Sequence, residues 1–209
     1  LLRLLFTQFF KLNMFAKNNY SIEGGIKVFP TGDDIVEKVK NFYRDDPFPN
    51  YELTDDRLNI LNKGDKNSFT FNLKKHIGHN KKILEVGAGT CQLSTYLSIG
   101  STNSITAFDA NYNSLKTGYD FAEQNEIQNI QYVCGDIFDD IFLENQFDVI
   151  ICNGVFHHTK DTFEAIKHVV KLLKKGGLIL IGLYNKFGRS RTYIRKYFYR
   201  LFGKRIFVN

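Results

Sequence analysis

Tryptophan is absent from this sequence of 209 residues, which contains only three prolines, three cysteines and one methionine. Cys91, Cys134 and Cys152 lie far apart, in or beside apolar runs, and form no C-x-x-C pair. A disulfide framework and a structural zinc site are therefore not predicted, and we expect three buried thiols in a reducing compartment. His76 and His79 could share a helix face, but no third ligand lies near them in the sequence, so we predict no metal site.

An apolar run long enough to cross a bilayer is also missing. The opening run LLRLLFTQFF is interrupted by Arg3 and lacks a small-residue cleavage site before the polar residues that follow. We therefore predict neither a membrane span nor a signal peptide, and we expect a cytoplasmic protein in which this run forms an amphipathic helix. Because Met14 is the sole methionine, we interpret the sequence as a fragment or as one whose start is at Met14.

Acidic residues are missing from both ends of the chain, whose net charge is +6. Residues 1–20 hold three basic residues and residues 186–209 hold eight, so the long middle part is net acidic. Within residues 189–206, the aromatic and aliphatic side chains fall on one face of a predicted helix and the basic ones on the rest. Three partners are open for this helix: the protein's own domain, an anionic membrane surface, and RNA as the least favoured.

The chain divides into three segments by pattern. Residues 1–80 predict a helical lead-in that forms an N-terminal lid, interrupted by the extended segment PFPNY at 47–51. Residues 81–185 alternate five near-continuous apolar strands with helices, which is typical of an α/β, doubly wound, Rossmann-like parallel sheet of at least five strands. Residues 186–209 predict a basic, aromatic C-terminal helix. We expect the chain to be cut short there, which would leave one edge of the sheet exposed.

Two glycines and two aspartates mark the carboxyl ends of three predicted strands. Gly87 and Gly89 follow the first strand and permit a tight turn that approaches a ligand closely. Asp109 ends the second strand, where a carboxylate can accept from both ribose hydroxyls of an adenosine cofactor, and Asp136 follows the third strand at the same edge. A nicotinamide dinucleotide is the rival cofactor, but its G-x-G-x-x-G motif needs glycine where this chain has Gln92.

Five blocks, in this order, resemble the motifs of class I S-adenosylmethionine-dependent methyltransferases: ILEVGAGTCQLS, FDAN, CGDIFD, FDVIICNGVFHHT and LKKGGLILIGLYN. The flanking blocks FY-x₃-PFPNY, F-HH and GLYN-x-x-GR resemble a bacterial subgroup of undefined substrate. The resemblance implies S-adenosylmethionine as the cofactor. It assigns Glu85, Gly87, Ala88 and Gly89 to the methionine part, Asp109 and Ala110 to the ribose, Asp136 and Ile137 to the adenine, and Asn153 and Gly154 to the region under the sulfonium.

One position departs from the family pattern. Members commonly have glycine where this chain has Cys91, and we expect its side chain to narrow the approach to the cofactor or to displace the following helix. The fold prediction does not depend on this position.

Catalytic and acceptor residues are predicted at the same edge of the sheet. His157 and His158 follow the fourth strand, and we predict that at least one is a general base if the acceptor must lose a proton. The alternative is that one imidazole packs under the next helix. Acceptor contacts are predicted for Tyr43, Tyr51, Tyr184, Asn185 and Arg189, with plain packing as the alternative for the tyrosines.

The loop after the fourth strand also narrows the range of acceptors. Methyltransferases that act on amide or exocyclic amino groups often carry Pro-Pro after the Asn or Asp of this loop, whereas Asn153 is followed by Gly-Val-Phe. We therefore predict methylation of oxygen, nitrogen or carbon on a small-molecule or lipid-like acceptor. A tRNA-modifying methyltransferase and a cofactor-binding module without turnover are the alternatives, and the oligomeric state is left open.

Overall fold

The computed structural model describes residues 14–30, 50–52 and 54–183. The predicted opening helix and the basic C-terminal helix lie outside these residues, as does the side chain of His158. Four predicted acceptor contacts also lie outside them: Tyr43, Tyr184, Asn185 and Arg189.

Within the part of the chain that the structure describes, seven strands form one sheet. In chain order they are β1 (Ser21–Glu23), β2 (Ile26–Val28), β3 (Lys82–Val86), β4 (Ser104–Asp109), β5 (Ile130–Cys134), β6 (Phe147–Asn153) and β7 (Leu173–Gly182). Their order across the sheet is β1-β2-β5-β4-β3-β6-β7, and every pair except the antiparallel β1–β2 hairpin is parallel. The prediction of a doubly wound parallel sheet of at least five strands is confirmed.

The described residues also form five α-helices: α1 (Arg57–Lys66), α2 (Ser68–Ile77), α3 (Gln92–Ser98), α4 (Tyr112–Gln124) and α5 (Thr162–Lys171). Four of them begin at an Asp or Asn that accepts backbone N–H bonds of the first turn: Asp56, Asn67, Asn111 and Asp161. Such caps satisfy donors that have no partner within the helix. The fifth, α3, begins at Cys91 without a side-chain cap.

The sheet is buried on both faces because its central strands are apolar at nearly every position. Ile83 and Ile105 belong to the α3/α4 core, which is the set of buried side chains on the face covered by α3 and α4. Leu84 and Ile150 belong to the α5 core on the opposite face, beside Val169 of α5. In the part of the chain that the structure describes, no helix is both long enough and apolar enough to cross a membrane.

The prediction of a helical lead-in over residues 1–80 is wrong at residues 21–28. There the chain forms the β1–β2 hairpin, and β2 pairs with β5 at the edge of the sheet. Gly24 and Gly25 make the turn with φ of 51° and 85°, and a Cβ on Gly25 would lie 2.2 Å from the ring of Tyr119. The segment SIEGGIKV carries this signal, since Gly-Gly between short apolar runs favours a two-residue hairpin turn.

The last helix is also shorter than the sequence predicts. The amphipathic pattern of DTFEAIKHVVKLLKKGG, with glycine at its end, predicts a helix as far as Lys175, whereas α5 ends at Lys171 and β7 begins at Leu173. Pairing of Phe147 with Leu173 draws the chain into the sheet, and Gly176, with φ of 78°, lies within the irregular stretch that follows. β7 has no outer neighbour among the described strands, and Leu178 on it is 62% exposed.

Candidate functional site

The predicted cofactor residues meet at the carboxyl edge of the sheet. Parallel registers place Val86 beside Phe108 and Cys152, and Asp109 beside Cys134. The loops after β3, β4, β5 and β6 therefore open on the same side, where ligands of open α/β sheets bind. The structure brings together at this edge the residues predicted from Glu85 through Gly154.

The loop after β3 is a tight turn held by β4. The N–H groups of Gly87 and Ala88 both donate to the carbonyl of Phe108, at 2.8 and 3.1 Å. Gly87 and Gly89 have φ of 69° and 53°, the left-handed region that favours glycine. A Cβ on Gly87 would lie 2.1 Å from Cγ2 of Val155, so the loops after β3 and β6 also require glycine there to pack.

Asp109 is anchored by backbone donors on two sides. Its Oδ2 accepts from the N–H of Gly89 at 2.8 Å, and its Oδ1 accepts from the N–H of Asn111 at 2.7 Å. Burial raises the pKa of this carboxyl, and these N–H groups act in the opposite direction. A carboxylate offers about four lone-pair positions. Acceptor positions remain for ligand hydroxyls, so Asp109 fits the predicted contact with a ribose.

Glu85 is a buried carboxyl at the end of β3, with 8% of its surface exposed. Burial raises its pKa from 4.5 to about 7, and Asp109 adds a smaller upward effect. The hydroxyl of Ser94 donates to Oε2 of Glu85 at 2.5 Å, which acts to lower this pKa. Ser94 was not among the site residues predicted from the sequence. Its place in the first turn of α3, whose inner face packs on the sheet, was the available signal.

Asp136 lies just beyond β5 and is 6% exposed. Its Oδ1 accepts from the N–H of Phe138 at 3.0 Å, which fixes the turn that carries Ile137. Gly135 donates its N–H to the carbonyl of Asp109 at 3.1 Å. This bond ties the predicted adenine residues to the predicted ribose residues Asp109 and Ala110.

The loop after β6 carries the predicted catalytic histidines. Asn153 ends β6, and Gly154 donates its N–H to the carbonyl of Gly182 at 2.9 Å. A short 3₁₀ helix, Phe156–His158, follows and is anchored by the fully buried Phe156. His157 is partly buried on this turn. The backbone placement of the pair agrees with the predicted position at the cofactor edge.

Contrary to expectation, the side chain of Cys91 does not narrow the approach to the cofactor. It is fully buried with a left-handed φ of 62°, so it does not line the open face of the turn. Its side chain packs against Gly118 of α4, where a Cβ would lie 2.8 Å from the sulfur and 2.6 Å from the carbonyl of Thr90. The missing side chain at Gly118 thus accommodates the sulfur. All three cysteines are buried free thiols, as predicted.

Tyr51 lies against the glycine loop, which is the turn from Gly87 to Cys91 after β3. Its hydroxyl donates to the carbonyl of Thr90 at 2.9 Å and lies 3.2 Å from Oγ1 of Thr95, while its ring stacks on Phe121 with centroids 4.0 Å apart. Burial raises the pKa of this phenol. Both the ring and the hydroxyl are therefore engaged within the domain, and an acceptor contact by Tyr51 stays a prediction.

The two helices of the predicted lid that the structure describes, α1 and α2, pack elsewhere. Lys74 of α2 donates to the carbonyls of Tyr96 and Ile99, at 2.8 and 2.7 Å, and Asp65 of α1 accepts from the hydroxyl of Tyr96 at 2.7 Å. α1 and α2 thus hold the C-terminal half of α3, away from the glycine loop.

Known proteins match the part of the chain that forms this edge of the sheet. Residues 84–181 match a family described as a methyltransferase domain. Over 105 residues the chain is 30% identical to a ubiquinone biosynthesis O-methyltransferase of Rickettsia bellii, covering 50% of this chain and 42% of that protein. Over 138 residues it is 29% identical to a demethylmenaquinone methyltransferase of Staphylococcus aureus, covering 64% and 56%. The chain spans about half the length of these curated relatives.

A solved structure supports the fold alone. The YcgJ protein from Bacillus subtilis is similar with a TM-score of 0.52 and 20% identity, over 62% of this chain and 57% of that one. The family match and the sheet order agree with the motifs that resemble class I methyltransferases. The match of residues 84–181 to a methyltransferase domain supports the predicted domain type and S-adenosylmethionine as its cofactor.

Proposed function

We propose that this chain, whose residues 84–181 match the methyltransferase domain family, transfers a methyl group from S-adenosylmethionine to a small, lipid-like acceptor. One observation carries the proposal. Three carboxyl groups, those of Glu85, Asp109 and Asp136, lie at the carboxyl ends of adjacent parallel strands. They surround the turn in which two glycines adopt a left-handed φ. This set offers acceptors for hydroxyl, amino and ammonium groups, and S-adenosylmethionine carries all three kinds of donor.

The residues at the edge fit the cofactor in its separate parts. Asp109 has acceptor positions left for ribose hydroxyls, and Glu85 supplies a carboxylate for an ammonium. Asp136 and Ile137 would hold the adenine, and Asn153 and Gly154 would border the reacting group. A dinucleotide fits less well, because its pyrophosphate needs a glycine at Gln92, whose side-chain amide instead donates to the carbonyl of Asn50 at 2.9 Å.

When bound, S-adenosylmethionine supplies a methyl group on a positively charged sulfur. The protein's part is then to orient the acceptor atom in line with that methyl group and to exclude water. If the acceptor atom is a hydroxyl, its proton must leave as the new bond to carbon forms. His157 or His158 would accept that proton, since imidazole titrates near neutral pH.

The acceptor class is supported by the relatives. One is named a ubiquinone biosynthesis O-methyltransferase and the other a demethylmenaquinone methyltransferase, so both names refer to quinones. We extend this to the present chain as a ring-bearing, lipid-like acceptor. Contact with a membrane surface through residues 189–206 would bring the protein to such an acceptor, and this contact is part of the proposal.

Calorimetric titration with S-adenosylhomocysteine tests the cofactor assignment. We expect micromolar binding by the wild-type chain and no binding of NADH. Asp109→Ala should weaken binding at least about tenfold, because a buried charge-assisted contact is lost. Asp120→Ala is the matched control, since that carboxyl pairs with Lys116 on the outer surface of α4. A folded wild-type chain that fails to bind would contradict the cofactor assignment, and with it both the methyltransferase and the cofactor-binding module.

Methyl transfer is tested with isotope-labelled S-adenosylmethionine and three acceptors: a prenylated hydroquinone, a short catechol and bulk tRNA. The proposal expects labelled product from the prenylated ring, with less from the catechol. Label in tRNA alone would favour the tRNA-modifying alternative, for which the eight basic residues of 186–209 are the supporting observation.

A further inference from the structure

Two residues that precede α1 contact the glycine loop directly. The carbonyl of Asn50 accepts from the side-chain amide of Gln92, and the hydroxyl of Tyr51 donates to the carbonyl of Thr90. These residues lie 42 and 39 positions apart in the sequence, respectively. The contacts therefore tie the segment before α1 to the first turn of α3.

The turn that they contact is strained. Cys91 adopts a φ of 62° and a ψ of 24°, a left-handed conformation that is unfavourable for a residue with a side chain. α3 begins here without the side-chain cap that the other four α-helices have. Such a conformation persists only where its surroundings fix it.

Tyr51 and Gly118 supply those surroundings from two sides. Gly118 leaves room beneath the turn for the sulfur of Cys91 and the carbonyl of Thr90. Tyr51 binds the same carbonyl by its hydroxyl and is itself held in place by the parallel ring of Phe121. Gly89, which directly precedes Thr90, donates its N–H to the carboxylate of Asp109. The orientation of the turn therefore decides where this N–H points.

We propose that Tyr51 is a positioning residue for the cofactor loop: it holds the Thr90–Cys91 turn and thereby keeps Gly89 and Asp109 in register for the ligand. The inference rests on the proposed function, which gives the loop its cofactor role. The inference attributes the geometry of this turn in part to a side chain that lies outside the matched segment 84–181. The Tyr51 contact acts through the loop, without requiring that Tyr51 touch the cofactor or the acceptor.

Hydrogen–deuterium exchange of the ligand-free protein provides the first test. In Tyr51→Phe the ring and its stacking remain, so the fold is expected to persist, and only the hydroxyl contacts are lost. Amides of residues 87–92 should then exchange roughly five- to tenfold faster, as expected for one lost hydrogen bond. Tyr96→Phe is the matched control, because its hydroxyl ties α3 to Asp65 and does not contact the loop. It should leave the exchange of 87–92 unchanged.

A double-mutant cycle with Cys91→Gly separates positioning from general loosening. Glycine adopts the left-handed turn at little cost, so Tyr51→Phe should change exchange less in the Cys91→Gly background than in the wild-type background. Affinity for S-adenosylhomocysteine should follow the same order, weakening roughly five- to tenfold in Tyr51→Phe and less in the double variant.

Three outcomes would overturn the inference. They are unchanged exchange in Tyr51→Phe, an equal effect in both backgrounds, and an equal effect of Tyr96→Phe on residues 87–92. If the wild-type chain bound no S-adenosylhomocysteine, the proposed function would fail, but the exchange experiment would still decide whether Tyr51 holds the turn.

Discussion

Replacing Glu85 by Gln tests whether a buried carboxyl makes the stability of this domain depend on pH. Folding raises the pKa of Glu85 from 4.5 to about 7, chiefly by burial. The folded state therefore holds the proton more tightly than the unfolded state does. Between these two values the free energy of unfolding falls as pH rises, and above about pH 7 this carboxyl contributes no further change.

The magnitude follows from the two pKa values. Over the whole window the loss would be about 3 kcal/mol, and between about pH 5.5 and pH 8 it would be about 2 kcal/mol. Gln cannot ionise, so the variant should lack this part of the pH dependence. Comparing the two pH values within each protein cancels any constant cost of burying the amide, which is why the difference is more informative than either stability alone.

Urea unfolding followed by circular dichroism measures the effect at both pH values. The exposed carboxyl of Glu144 provides the control, and Glu144→Gln should keep the wild-type pH dependence. Equal losses of stability in the wild type and in Glu85→Gln would refute the assignment of a raised pKa to this site. If Glu85 binds the ligand's ammonium, affinity for S-adenosylhomocysteine should also rise up to about 30-fold across this interval, because only the ionised carboxyl attracts it.

Three further changes probe the loops around the site. Gly87→Ala should destabilise by roughly 3 kcal/mol in urea unfolding, because the methyl group meets Val155 at a positive φ; the loss should shrink when Val155 is also changed to Ala. Asp161→Ala should lower the free energy of unfolding by about 1 kcal/mol, and the thermal midpoint with it, since it removes the cap of α5; a wild-type melting curve would contradict this. At least one of His157→Ala and His158→Ala should reduce turnover about 10²-fold or more on a hydroxyl acceptor while leaving cofactor affinity unchanged; wild-type turnover in both variants would exclude the general base.

The sequence predicts the centre of this fold better than its edges. Strands such as β6 consist of apolar runs that only a sheet covered on both faces accommodates, and Asp109 and Asp136 mark their ends without ambiguity. The hairpin at 21–28 was missed because each strand has three residues, too few for a periodic pattern to stand out. Its Gly-Gly turn was the sole local signal.

The contacts that shape the site were less predictable for another reason. Ser94 bonds Glu85 from nine positions away, and Tyr51 reaches Thr90 across 39 positions. Pairings of this kind depend on how helices dock on the sheet, which no local pattern encodes. The burial of Cys91 likewise depends on Gly118, and a glycine within a helix ordinarily signals nothing about a distant loop.

The β1–β2 hairpin has a consequence for where this protein can be divided. The family match begins at residue 84, yet Ile26 and Phe29 are almost fully buried, one in each core. Met14 and Phe15 join the α5 core as well, and the backbone of Met14 accepts from Leu143 at 2.9 Å. An expression fragment trimmed to the recognisable domain would therefore lose side chains from both cores and uncover the edge of β5. The packed core of this protein therefore extends beyond the segment that sequence comparison outlines and includes Met14.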